Sequence, residues 1–387
     1  MEALFTPLRL GPVTLRNRSL RAAAFEGMSP AHEVSDALIA LHRAYAAGGV
    51  GMTTVAYAAV QRSGLSFAHQ LWLRREAVPG LRRLTAAVHA EGAACSIQIG
   101  HAGNMAAWSV AGARPIAPSA RPNLYGPTWP RAMRGTDIAA TVRAFHDAVH
   151  LAADAGFDAI ELHAGHGYLI GQFLSPWTNR RRDAYGGDLA GRMRFMDEVV
   201  GTVLDAARGR LAVLVKVNMS DGYKGGLEAD EALEVARRLE AAGADALVLS
   251  GGFVSRSPMT ILRGAMPVRT LAAGMRDPLM RLFTRAFAGR LIRTVPFTEN
   301  YFLPEARAFR AALRMPLVYV GGLRSAEGVA QVLDAGFDGV AFARALLEDP
   351  GFIGRLRGPV RSACDTCNHC VAVMYTGPVA CIRHQRP

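Results

Sequence analysis

Asp158-Ala-Ile-Glu-Leu-His163-Ala-Gly-His166-Gly-Tyr168-Leu-Ile-Gly-Gln-Phe173-Leu-Ser-Pro176-Trp-Thr-Asn179-Arg-Arg-Arg-Asp183-Ala-Tyr185-Gly-Gly187 opens a run that continues to Phe195. It begins as a short apolar strand, Ala159 to Leu162, and delivers His163, His166 and Tyr168 into a Gly-rich loop. α/β enzymes place their chemistry at such strand ends. Neutral imidazoles can hydrogen-bond a carbonyl or nitro oxygen, and a nearby phenol can give up a proton. One isolated histidine would read as a satisfied loop residue, whereas His-x-x-His-x-Tyr at a strand end reads as catalytic. Gly165, Gly167 and Gly171 do not make a dinucleotide fingerprint: the spacing is one residue off and no βα context precedes it.

Outward from this run, strands and helices alternate. Residues 1–19 read as a hairpin closing the bottom of a barrel, and Arg18 to Ala24 as the first strand. A helix is expected over Ser35–Ala47, a strand over Gly49–Tyr57, a helix over Arg74–Glu91 and a strand over Ala93–Ile99. The Pro- and Gly-rich stretch Gly100–Arg134 is too long for a connector and should border the active site. Further helices are expected at Thr136–Ala155, Leu189–Ala207, Glu228–Ala242, Ser325–Ala335 and Ala345–Leu356. Strands are expected at Leu211–Val217, Asp245–Ser250, Leu317–Val320 and Gly339–Phe342. About eight alternations predict an α/β fold, a (β/α)8 TIM barrel, rather than an open sheet. Residues 1–358 would form the barrel, with 253–315 an insertion or lid, and 359–387 a Cys-rich C-terminal segment.

Two late strand ends suit a phosphate. Val320-Gly321-Gly322-Leu323 precedes a helix at Ser325, and Ala343-Arg344 precedes another at Ala345. Glycine lets backbone N–H groups reach an anion, helix N-termini favour negative charge, and Arg344 supplies a fork. Lys216 ends an apolar strand, where a buried lysine needs an anionic partner.

His163-Ala-Gly-His166-Gly-Tyr168, Phe173-Leu-Ser-Pro176, Asn179-Arg-Arg and Asp183-Ala-Tyr185-Gly-Gly187 together closely resemble the old yellow enzyme family of FMN-dependent oxidoreductases, and the resemblance extends over the whole chain. It implies FMN at the C-terminal mouth of the barrel, with its phosphate on Gly321, Gly322, Ala343 and Arg344. It also implies flavin contacts from Ala22, Ala23, Ala24, Tyr57, Gln98, Lys216 and Ser250. Relatives often carry a polar or sulfur residue where this chain has Phe25. NAD(P)H would serve as co-substrate in the pocket shared with the second substrate, a small α,β-unsaturated carbonyl compound. His163 and His166 would hold its carbonyl oxygen while Tyr168 protonates the α-carbon. A dehydrogenase passing electrons to a redox partner protein is the alternative.

Near the C-terminus stands Cys364-Asp-Thr-Cys367-Asn-His-Cys370, followed by Cys381. Four thiolates suit a [4Fe–4S] cluster, with zinc as the alternative. Their placement resembles the cluster segment of 2,4-dienoyl-CoA reductase and trimethylamine dehydrogenase. Within 253–315, a helix opening at Asp277-Pro278 would carry Leu279, Met280, Leu282, Phe283, Phe287, Leu291 and Ile292 on an apolar face, with Arg281, Arg285, Arg290 and Arg293 as cations. A lid or subunit contact is the preferred reading, and peripheral membrane contact the weaker one.

The chain has 387 residues, is 50% hydrophobic and 20% charged, and carries a formal net charge of +12. These values describe an ordinary globular protein. The excess of arginine comes with no helix-turn-helix, zinc-finger or RNA-binding signature, so nucleic acid is not expected as a partner. The N-terminus lacks a signal peptide's basic start and apolar core. The crowding of four of the 5 cysteines at one end points to a metal site in a reducing compartment, the cytoplasm. A homo-oligomer is expected.

Overall fold

The computed structural model describes residues 1–123, 128–275, 278–374 and 376–382, without the side chains of Met280 and Leu291. Eight parallel strands close into a barrel. They are β1 Ser19–Arg21, β2 Met52–Ala59, β3 Ala94–Gly100, β4 Ala159–His163, β5 Ala212–Asn218, β6 Ala246–Ser250, β7 Leu317–Tyr319 and β8 Gly339–Phe342. β8 pairs with β1 to complete the ring, Val340 lying opposite Ser19. The helices that separate these strands pack outside: α1 Asp36–Ala47, α2 Val78–His89, α3 Gly135–Asp154, α4 Leu189–Ala207, α5 Ala229–Ala242, α6 Leu303–Ala312 and α7 Ala326–Asp334.

The period-two pattern of each strand divides two cores. Ile160 and Leu162 of β4, with Val213, Val215 and Val217 of β5, join the outer layer against the helices. Ala159, Ala212, Leu214, Ala246 and Val248 point inward and pack with Leu8, Leu10 and Leu15. Those three leucines come from an antiparallel pair, Leu8–Leu10 with Val13–Leu15, which plugs the bottom as expected. Higher in the barrel the inward positions become polar: Gln98 lies opposite Glu161, and His163 opposite Lys216. Alternation therefore forces the site residues to share one face.

Helix starts follow their chemistry. The Ser35 hydroxyl accepts the Leu38 N–H at the head of α1, and the Asp188 carboxylate accepts the Gly191 N–H at the head of α4. One expectation needs correction. The continuous helix over Ala345–Leu356 is instead two short pieces, Arg344–Glu348 and Phe352–Arg355. Asp349 is extended, with φ −146° and ψ 102°, because Pro350 disfavours a helical residue before it and cannot donate an N–H. The long stretch after β3 also holds structure of its own, including a helix at Trp108–Ala111 and a strand pair joining Ile116–Ala117 to Arg131–Ala132.

The 253–315 region contains a helix at Pro278–Leu291 packed against Val268–Ala273. Asp277, expected to open it, lies outside the described residues. The helix buries its small residues, Thr284 and Ala288. Leu279 (78% exposed), Leu282 (67%), Phe283 (50%) and Phe287 (46%) of the expected apolar face are exposed. Among the described residues, no helix is long and apolar enough to cross a membrane.

Candidate active site

At the C-terminal mouth the β4 loop turns sharply. His166 has φ +57° and Gly167 φ +79°. A Cβ on Gly167 would meet the Phe253 ring at 2.3 Å, so only glycine fits there. The turn gathers four rings. His163 stacks on Tyr168 with centroids 4.2 Å apart, His166 stands edge-on to His163 at 5.2 Å, and Tyr57 stands edge-on to Tyr168 at 4.9 Å. The His166 N–H donates to Asn218 Oδ1 at 3.0 Å, and its Nε2 is 2.8 Å from Ser250 Oγ. His163 Nδ1 is buried with no hydrogen-bond partner among the described residues.

Burial sets the protonation of this group. Desolvation, with nearby Lys216, lowers His166 to about 3, and desolvation, His166 and Lys216 push His163 well below the usual histidine value. Both imidazoles are therefore neutral at pH 7. Desolvation raises Tyr57 to about 12 against the opposing bonds from Ser66, Tyr168 and Gln70.

Beside this group lies a cavity of about 280 Å³. It brings together Ala22, Ala23, Ala24, Lys216, Ser250, His166, Gly322, Ala343 and Arg344, nine of the residues singled out in the sequence. Phe25 also reaches it and stacks on Phe67 at 4.4 Å. Gln98, Gly321, Tyr57, His163 and Tyr168 do not line it. The Gln98 amide donates to Glu161 Oε1 at 2.6 Å. The position of a Cβ on Gly321 is occupied by the Tyr319 hydroxyl, 2.7 Å away.

Sequence reasoning missed several neighbours. Glu161, inside the strand read as apolar, accepts from Lys216 Nζ at 2.7 Å as well as from Gln98. Its signal was a carboxylate at an inward position of a barrel strand. Arg21 and Glu26 form a buried pair at 2.7 Å; Arg21 also donates to Thr54 O and Ala24 O, and Glu26 accepts the Ala56 N–H. This pair fixes the Ala22–Ala24 wall. Arg324 follows the Gly321-Gly322 turn, lines the cavity, and has a buried Nε with no partner among the described residues.

The C-terminal segment closes the cavity. Val379 N–H donates to Glu26 O at 2.8 Å, and Asn368 Nδ2 donates to Arg263 O at 2.6 Å. Arg344 Nη1 donates to Asn368 Oδ1 at 2.9 Å. Cys364, Cys367, Cys370 and Cys381 all line one small adjoining cavity of about 20 Å³, with Cys364 and Cys370 reaching the main one too. Burial pushes the Cys370 thiol up to about 11, against the pull of Arg344. Among the described residues, no three His, Cys, Asp or Glu side chains converge on a point where a metal ion could sit.

Comparison with known proteins gives the family. The family profile described as NADH:flavin oxidoreductase / NADH oxidase matches residues 3–270. The chain belongs to this family. It is 42% identical over 387 residues to a 4,4'-dithiodibutanoate disulfide reductase of Rhodococcus erythropolis, covering 98% of this chain and 95% of that one. It is 38% identical to a metal reductase of Desulforamulus reducens over 65% of this chain, and spans only 38% of that protein. Among solved structures, a histamine dehydrogenase from Rhizobium sp. 4-9 superposes with a TM-score of 0.81 at 26% identity, over 99% of this chain and 52% of that one.

The chain is thus an NAD(P)H:flavin oxidoreductase of the old yellow enzyme type, with FMN as its cofactor. The site fits that cofactor. Small alanines leave room for a flat ring, and the unpartnered Arg324 Nε and the Arg344 fork suit a phosphate. Gly322, at φ +82° and with the Tyr301 ring 2.7 Å from where its Cβ would stand, keeps the backbone open on that side.

Proposed function

We propose that this enzyme reduces the activated C=C bond of small α,β-unsaturated carbonyl compounds with electrons from NAD(P)H. The neutral pair His163 and His166, stacked with Tyr168 beside the cavity, carries this reading. FMN held in this cavity would supply hydride transfer from NAD(P)H to the acceptor. His163 and His166 hold the carbonyl oxygen by N–H donation, which needs imidazole rather than imidazolium. Tyr168 supplies the proton at the α-carbon from its hydroxyl. Ala22–Ala24, Tyr57, Gln98, Lys216 and Ser250 would hold the flavin ring, and Gly321, Gly322, Ala343 and Arg344, joined here by Arg324, would hold its phosphate.

A disulfide acceptor is the second reading, favoured by the 42% identity to the dithiodibutanoate reductase. Its chemistry needs the same electrons and a proton for the departing thiolate, which Tyr168 would give. Anaerobic half-reactions decide between the two. Enones that reoxidise the reduced enzyme faster than disulfides support ene reduction, and the reverse order overturns it.

Residues 1–358 then form the FMN barrel, 253–315 an excursion from it, and 359–387 a cysteine segment. We assign the four cysteines to a [4Fe–4S] cluster, with zinc as the alternative. The donor set and its shared cavity support this, as does the free state of all five cysteines, which also suits the cytoplasm. A cluster would imply a redox partner protein. The exposed apolar face at Leu279–Phe287 supports a subunit contact in a homo-oligomer.

A further inference from the structure

Four consecutive loops at the barrel mouth contribute to one stack of cations and rings. The loop after β3 supplies Arg121, that after β4 Trp177, that after β5 Tyr223 and that after β6 Arg256. The Arg256 guanidinium lies 3.8 Å from the centre of the Trp177 ring and 4.7 Å from that of Tyr223. The Arg121 guanidinium lies 4.6 Å from the same Trp177 ring, and its Nη1 donates to Trp177 O at 2.7 Å. Stacking fixes the plane of each guanidinium and leaves its N–H edge free to bind.

The charges here are not balanced locally. Neither Arg121 nor Arg256 has an acidic partner among the described residues, and the Arg256 side chain donates no hydrogen bond there. Asp221, the carboxylate coupled to Tyr223, is already engaged by Asn218 Nδ2 and the Leu227 N–H. Two guanidiniums held against one indole repel each other, and a bound anion offsets that repulsion. Burial, with Asp221, pushes the Tyr223 hydroxyl upward, so it remains a donor beside them.

The stack is one ring away from the reacting group. Tyr223 stands edge-on to Phe253 at 5.7 Å, and Phe253 fills the space over Gly167, between His166 and Tyr168. The Val254 N–H donates to His166 O at 3.0 Å, which ties the Arg256 loop to the His166 turn.

We propose that Arg256 and Arg121, stacked on Trp177, form an anion subsite that takes the carboxylate of an acceptor whose reducible bond lies at His163, His166 and Tyr168. The preferred substrates are then carboxylate-bearing acceptors. This inference rests on the reading of the histidine–tyrosine cluster as the acceptor site.

The FMN-loaded enzyme is tested by calorimetry with a phenol carrying a butanoate arm and with its methyl ester, and by anaerobic reoxidation with a cyclohexenone carrying a propanoate arm and its ester. The acid forms should be preferred, and Arg256→Gln should reduce that acid-over-ester preference roughly tenfold in both assays, with Arg256→Lys restoring part of it. Arg256→Gln is the cleaner variant, because Arg121 also ties its own loop to Trp177. No acid preference in the wild type, or an equal loss for acid and ester, overturns the subsite. So does a variant that slows flavin reduction by NADPH but not NADH while the acid preference survives, since the anion bound would then be the nucleotide phosphate. If the calorimetric preference and its loss appear but neither enone reoxidises the flavin, the subsite stands and ene reduction falls. If the enones react without acid preference, only the subsite falls.

Discussion

Lys216 Nζ and Glu161 Oε1 are 2.7 Å apart, and both side chains are 3% exposed or less. Lys216 lines the cavity from β5, and Glu161 stands on β4 two residues before His163, the residue opposite Lys216. Glu161 is the anionic partner that a buried lysine requires, and it is shared with Gln98. Glu161→Gln would leave the ammonium without its counter-charge, so unfolding in urea should show a loss of about 3–5 kcal/mol. Replacing both residues by apolar side chains of similar volume should recover most of that loss. An unchanged midpoint for Glu161→Gln would mean the pair contributes nothing.

Arg344 tests the phosphate assignment. It spans the cavity and Asn368, so its loss removes a charged donor from the cofactor while the barrel strands stay paired. Arg344→Ala should weaken FMN binding about ten- to a hundredfold, the worth of one charge-assisted contact of about 1.5–3 kcal/mol. Fluorescence titration of the apo-protein reads this directly. An unaltered affinity would remove Arg344 from the phosphate site.

Tyr168→Phe keeps the stack on His163 and removes only the hydroxyl. Reoxidation of the reduced enzyme by enones should slow about 10²–10⁴-fold, the usual share of a positioned acid, while reduction by NAD(P)H is spared. Stopped-flow traces of the two half-reactions separate these effects. Equal reoxidation rates for wild type and variant would require another acid.

Acid should destabilise the fold through its buried histidines. Desolvation lowers His101 and His166 to about 3, and also lowers His42 and His163, from an ordinary value of 6.5. Their folded values are depressed, so the unfolded chain binds more protons as pH falls through 6.5. The stabilisation is fully present above 6.5 and is lost progressively toward 3. Each such group adds a slope of up to about 1.4 kcal/mol per pH unit. Urea midpoints measured from pH 7 to 4.5 should fall, and His101→Gln should flatten the slope. A flat profile would mean these rings already take protons in the folded state.

The cysteine segment is resolved by composition. Anaerobic purification followed by iron, sulfide and zinc analysis should find about four iron atoms per chain if a [4Fe–4S] cluster is bound. One zinc without sulfide supports the alternative. Chelation of either metal should loosen Asn368 from Arg344 and so lower FMN affinity as well.

The barrel was legible in the sequence because its signals are local. Period-two strands, amphipathic helices and the Asp-Ala-Gly-Phe-Asp joint at Asp154–Asp158 and Asp334–Asp338 repeat along the chain, and Leu189–Ala207 begins and ends where its cap and pattern place it. The His163, His166 and Tyr168 trio was legible for the same reason, since one short run holds all three. What only the tertiary structure decided depends on residues far apart in sequence. Strand register set Gln98 against Glu161 and Lys216 beside it, so a carboxylate within an apolar-looking strand became the centre of a buried network. Arg21 met Glu26 under the Ala22–Ala24 wall, and Asn368 reached back to Arg344 and Arg263. Likewise, the helix periodicity at Pro278–Leu291 showed an apolar face but not its orientation. Its small residues Thr284 and Ala288 packed inward and left the large ones in solvent. Local pattern fixes which residues share a face, whereas only closure of the barrel and the packing of its loops determine what that face meets.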